Sequence, residues 1–115
     1  MGLGITIDAT AQFNATGIYN IDMTGYETAV VQLVGPAAAV TFNSSNDGGA
    51  ITGSVGESPL AAANFTAVQA INLNTGVGAT TGAVSGLWRV QYIGRYLQLS
   101  GTTATKILVF LSKIS

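Results

Sequence analysis

The chain contains no histidine and no cysteine, only two prolines, and charged residues make up just 8% of its 115 positions. Each shortage excludes a class of chemistry. Without cysteine there is no disulfide framework and no thiol nucleophile. Without histidine, a serine or threonine nucleophile would have to take its base from Lys106, Lys113 or a carboxylate. Lys106 follows a threonine-rich turn and opens a strand, the setting of a solvent-facing charge. The acidic residues Asp8, Asp22, Glu27, Asp47 and Glu57 are scattered singly, so no metal site is expected. Asp47 lies in Asn46-Asp47-Gly48-Gly49, where Asp suits a turn. Gly76-Val77-Gly78 lacks the third glycine and the helix of a dinucleotide site. The expectation is a chain that is not an enzyme and takes no cofactor.

Partners are bounded in the same way. The basic residues Arg89, Arg95, Lys106 and Lys113 cannot neutralise a run of phosphates, which argues against nucleic acid. The strongest apolar run, Ile107 to Leu111, is far too short to cross a bilayer. The opening Met1-Gly2-Leu3-Gly4-Ile5-Thr6 has neither the basic region nor the apolar stretch of a signal peptide. It fits a myristoylation pattern only loosely, and no basic cluster follows to help anchoring. Apolar residues amount to 48%, enough for one core, and the length suits a single domain over residues 1–115. A net charge of −1 on so sparsely charged a surface favours association, so a homo-oligomer, such as a trimer, is expected.

What is present is alternation. Leu3, Ile5, Ile7, Ala9, Ala11 and Phe13 share one face of an extended segment, with small polar residues between them. Asn14 to Gly17 reads as a turn, followed by Tyr19, Ile21 and Met23 in phase and a second turn at Thr24-Gly25. Ala29 to Val34 suits a central strand, and Val40 to Ser44 suits another. Asn46 to Gly49 predicts a hairpin with Ile51 to Val55 as its return. Gly56 to Pro59 reads as a loop, and Leu60 to Ala63 is the sole helix-like stretch. Phe65 to Leu73 is β-like, with Phe65, Ala67, Ile71 and Leu73 on one face, and Asn74 to Gly82 reads as a mobile loop. Trp88, Val90 and Tyr92 alternate, then come Tyr96 to Ser100 and Lys106 to Ile114. Eight to nine short strands between glycine-rich turns predict an all-β sandwich of jelly-roll or Ig-like type.

The chain also echoes itself. Gly17-Ile18-Tyr19-Asn20-Ile21 matches Gly86-Leu87-Trp88-Arg89-Val90, and Val31-Gln32-Leu33 matches Leu97-Gln98-Leu99. Each copy ends in an apolar strand, so two such units are expected to supply the two sheets, one each. The stretch from Gly17 to Tyr26, its Val-rich continuation and Phe42-Asn43-Ser44-Ser45-Asn46-Asp47-Gly48 together resemble small β-sandwich modules of tailed-bacteriophage virion proteins. The second copy departs from that pattern, with Gln91 where the first has Asp22 and no Ser-Asn-Asp-Gly turn after it. The resemblance implies a structural virion component, in particular a capsid decoration or cement protein whose partners are the major capsid protein and copies of itself. A tail or baseplate subunit is the neighbouring alternative.

Five residues are candidates for partner contact. Leu3 and Ile5 lie on an alternating terminal strand able to pair with another chain at a sheet edge. Arg89, Arg95 and Tyr96 lie beside Trp88, and Arg, Tyr and Trp are the residue types that dominate contact hot spots. Trp88 itself, in phase with Val90, reads as a core aromatic. Were it exposed, it would favour a carbohydrate-binding module acting in host adsorption.

Overall fold

Apolar residues at every second position build most of the elements. The structure, a computed structural model, describes residues 2–46, 65–90 and 94–114. These residues form β1 (Gly2–Asp8), α1 (Thr10–Thr16), β2 (Ile18–Asp22), β3 (Thr28–Val34), β4 (Val40–Ser45), β5 (Thr66–Ala67), β6 (Ala70–Asn72), β7 (Gly78–Ala79), β8 (Thr81–Gly82), β9 (Gly86–Val90), β10 (Tyr96–Ser100) and β11 (Lys106–Ile114). The count exceeds the expected eight to nine strands because β5, β7 and β8 are two-residue pieces. The expected hairpin turn after Asn46, its returning strand, the loop at 56–59, the helix-like 60–63 and Tyr92 lie outside the described residues.

One sheet runs β1-β11-β3-β9-β6-β7, and the other runs β2-β10-β4-β5 with β8 also on β4. The antiparallel pairs nest: β1 with β11, β2 with β10, β3 with β9, and β4 with β5. A ribbon of nested pairs is rolled over so that β11 meets β3 and β10 meets β4. This is the jelly-roll form of the two sandwich types the sequence allows. The internal echo is real in the strands but not in its expected distribution. Units β2-β3-β4 and β9-β10-β11 do not make one sheet each. Each unit changes sheet at every strand, and its central strand lies between the outer strands of the other unit.

The core fills the space between the sheets. Leu33, Val31, Ile107, Val109 and Leu111 face Val40, Phe42, Leu97 and Leu99, all essentially without exposure. Full burial of each large side chain contributes roughly 1.5–3 kcal/mol. The Phe42 and Trp88 rings meet at 5.9 Å with a 38° tilt. Trp88 is 5% exposed and is therefore a core aromatic.

Two local expectations fail. The extended reading of Leu3 to Phe13 stops at Asp8, because residues 10–16 are helical. Ala9, Ala11 and Phe13 fit period two, but Ala9 and Phe13 are also one helical turn apart, and those two are buried while Ala11 is exposed. So short a helix is held by tertiary contacts rather than by propensity. The Asn14 amide both donates to and accepts from the backbone of Ala104, at 2.9 Å each. Gly17 ends the helix at φ 76°, and a Cβ there would lie 2.6 Å from the Gly101 carbonyl oxygen. The second failure is one of phase: Ala70 and Asn72 point inward, while Leu73 is exposed. The glycine-rich stretch expected to be a loop contributes β7 and β8, and Gly82 is buried against Trp88, where a Cβ would lie 2.9 Å from Cε2.

Candidate interaction surface

The outer face of the six-stranded sheet is built by alternation set against a fixed register. On β11, Ile107, Val109 and Leu111 point into the core, so Leu108 and Phe110 point out. Register then places Thr6, Phe110, Val30, Arg89, Ile71 and Gly78 in one row across all six strands. The next row holds Asp8, Leu108, Gln32 and Leu87, with the Leu73 N–H donating to the Leu87 carbonyl at 2.9 Å. Phe110, Leu87 and Leu73 are each close to half exposed (45%, 45% and 46%) on this solvent-facing sheet. The Phe110 ring lies over Gly4 and fills the space a side chain would take on this edge strand. At one corner Leu73, Val84, Ser85 and Leu87 help line an open depression of about 460 Å³.

The face is framed by polar groups. Thr28 and Ser112 hydrogen-bond to each other at one end. At the other, Lys106 Nζ lies 3.4 Å from Asp8 Oδ2, both side chains being half exposed. Hydrogen bonding from Thr10 and the nearby Lys106 hold the Asp8 carboxyl below its ordinary value.

The five-stranded sheet presents a different outer face. Gln98 Nε2 donates to Asn20 Oδ1 (3.0 Å), and Asn43 Nδ2 donates to Gln98 Oε1 (3.3 Å) and Ser100 Oγ (3.2 Å). Gln98 is buried within this ladder. At the end of β2, Asp22 accepts from the Thr24 hydroxyl (2.7 Å) and N–H (3.0 Å). Partial burial pushes the Asp22 carboxyl up, but these hydrogen bonds and Arg95 outweigh it and leave it lowered. Burial, with Asp8 adding to it, raises the Tyr19 hydroxyl.

The five candidates separate between these regions. Arg89 is exposed near the middle of the apolar face. Ile5 is 45% exposed at the β1 edge, on the inward-pointing side of its strand, and Leu3 pairs with Lys113 on the same edge. Arg95 and Tyr96 lie elsewhere, with the guanidinium 5.1 Å from the centroid of a Tyr96 ring that is only 8% exposed. Tyr96 therefore offers little contact surface, and Arg95 covers it. Sequence reasoning missed Phe110, Leu108, Val30 and Leu73. The signal was the unbroken apolar run Ile107 to Leu111: in a two-layer antiparallel sandwich, such a run must turn apolar side chains outward as well as inward. Among the described residues no three His, Cys, Asp or Glu come together as a metal site would require, and no helix is long and apolar enough to cross a membrane.

No protein-family profile matches the chain, and no curated protein sequence matches it. Its fold does have a counterpart. The crystal structure of the SPBc2 prophage-derived protein YomS superposes with a TM-score of 0.70, covering 98% of this chain and 96% of that one at 9% identity. The shared feature at that identity is the fold, and it is shared with a phage-derived protein over nearly the full length of both.

Proposed function

We propose that this chain is a structural virion protein of a tailed bacteriophage, a capsid decoration protein that stabilises the shell by contact. The observation that carries the reading is the outer face of the six-stranded sheet, where Phe110, Leu87 and Leu73 stay solvent-facing. Apolar surface of this kind on a soluble β-protein is characteristic of a contact site. The likeness of fold to a prophage-derived protein supports the phage setting. The partners are the major capsid protein and further copies of this chain, the latter recruited through the β1 edge that bears Leu3 and Ile5. Each contact with the shell would bury on the order of 1,000 Å², and repetition over a lattice would convert modest single contacts into avidity.

The test is addition of the purified protein to capsids that lack it. The expected result is saturable binding and a higher temperature of capsid disruption. Capsids that neither bind the protein nor gain stability would overturn the reading.

A further inference from the structure

We infer that the outer face of the six-stranded sheet is the surface that docks on the shell subunit, and that the subunit meets it with an apolar patch carrying a carboxylate opposite Arg89. The inference rests on the decoration reading and adds the surface and the chemistry of its partner.

Three observations converge on it. The first is area. Six strands at about 4.8 Å spacing and about 20 Å of strand length give a face of roughly 500 Å². Two such faces in contact bury about 1,000 Å², the lower bound for a specific interface. The second is charge. Arg89 stands on the fourth strand of six, its cross-strand neighbours are Val30 and Ile71, and Leu87 is two residues along the same strand. Among the described residues it has no ion pair, and the carboxylate at the rim of the face, Asp8, already faces Lys106 at 3.4 Å. The third is what this charge excludes. Among the described residues, a second copy applied face to face would bring to this face another Arg89 and only the Asp8 carboxylate, already held by Lys106, a poor counter-ion for either cation. An apolar partner with an acidic group satisfies both the leucines and the arginine.

The experiment measures affinity of the full chain for capsids lacking it, with Arg89→Leu, Arg89→Glu and Leu87→Asp against Gln12→Glu, a control on the exposed side of α1. Circular dichroism checks that each variant keeps the fold. Arg89→Glu and Leu87→Asp are expected to weaken binding by roughly 30-fold or more, Arg89→Leu by about tenfold, and the control by less than twofold. Tighter binding by Arg89→Leu would overturn the carboxylate. Wild-type binding with all three variants unchanged would overturn the surface while leaving the decoration reading intact. Loss of an oligomer in light scattering, with capsid binding retained, would show that the face belongs to a second copy and would likewise overturn the proposal. Failure of the wild type to bind would overturn the decoration reading and this inference together.

Discussion

The two sheets are alike inside and opposite outside. Inward, the six-stranded sheet supplies Val31, Leu33, Ile107, Val109 and Leu111, and the five-stranded sheet supplies Ile21, Val40, Phe42, Leu97 and Leu99, all closed to solvent. Outward, the five-stranded sheet ties Asn20, Gln98, Asn43 and Ser100 into a hydrogen-bonded ladder. The six-stranded sheet shows solvent Phe110, Leu87 and Leu73, with a lone cation among them. A face whose hydrogen bonds close on themselves gains little from a partner. An apolar face gains from any surface that removes it from water. We propose that one face serves stability and the other contact, while the rolled topology keeps both on one core.

The comparison can be broken first from within. Because the inner faces are equivalent, Phe42→Ala in one sheet and Leu33→Ala in the other should both destabilise strongly, by about 3–5 and 2–5 kcal/mol respectively in denaturant titrations. A clear imbalance would mean that the sheets do not share one core. The outer faces should respond unequally. Gln98→Leu strands the Asn20 oxygen and removes one of the two acceptors of Asn43, at a cost of about 1–3 kcal/mol. Leu87→Gln on the other face should change stability by no more than about 0.5 kcal/mol, because that side chain already meets water. Equal costs for the two would remove the distinction between a closed and an open face.

The smallest effect concerns pH. Asp8 and Asp22 both have carboxyls lowered below 3.8. A carboxyl lowered on folding stabilises the folded state at pH values above its unfolded pKa. That contribution fades as the pH falls through the lowered folded value. Acid unfolding curves of Asp8→Asn and Asp22→Asn should therefore approach the wild type below pH 3.8 and lie beneath it at neutral pH. Both side chains are exposed, so the gap should be slight.

Much of this architecture was legible in the chain. The in-phase residues Ile21 and Met23, Val31 and Leu33, Trp88 and Val90 are buried as alternation requires. The helix was not legible, because alanines at 9 and 11 satisfy a strand pattern as well as a helical one, and only Phe13 packing beside Gly101 decides between them. The inward turn of Ala70 and Asn72 was hidden because the larger side chains, Ile71 and Leu73, lie on the other face. Crosswise interleaving of the two units is long-range pairing, which no local pattern encodes. Of the proposed contact residues, Arg89 was readable as an exposed charge, but its apolar surroundings come from β3, β6 and β11, distant in sequence and joined only by register.

The most direct test of the central claim is hydroxyl-radical footprinting of the protein, free and bound to capsids. Phe110, Leu87 and Leu73 should be labelled in the free protein and protected in the complex, while Arg95 and the exposed residues of α1 remain unchanged. Labelling of all three apolar residues that persists undiminished in the capsid-bound protein would contradict the account.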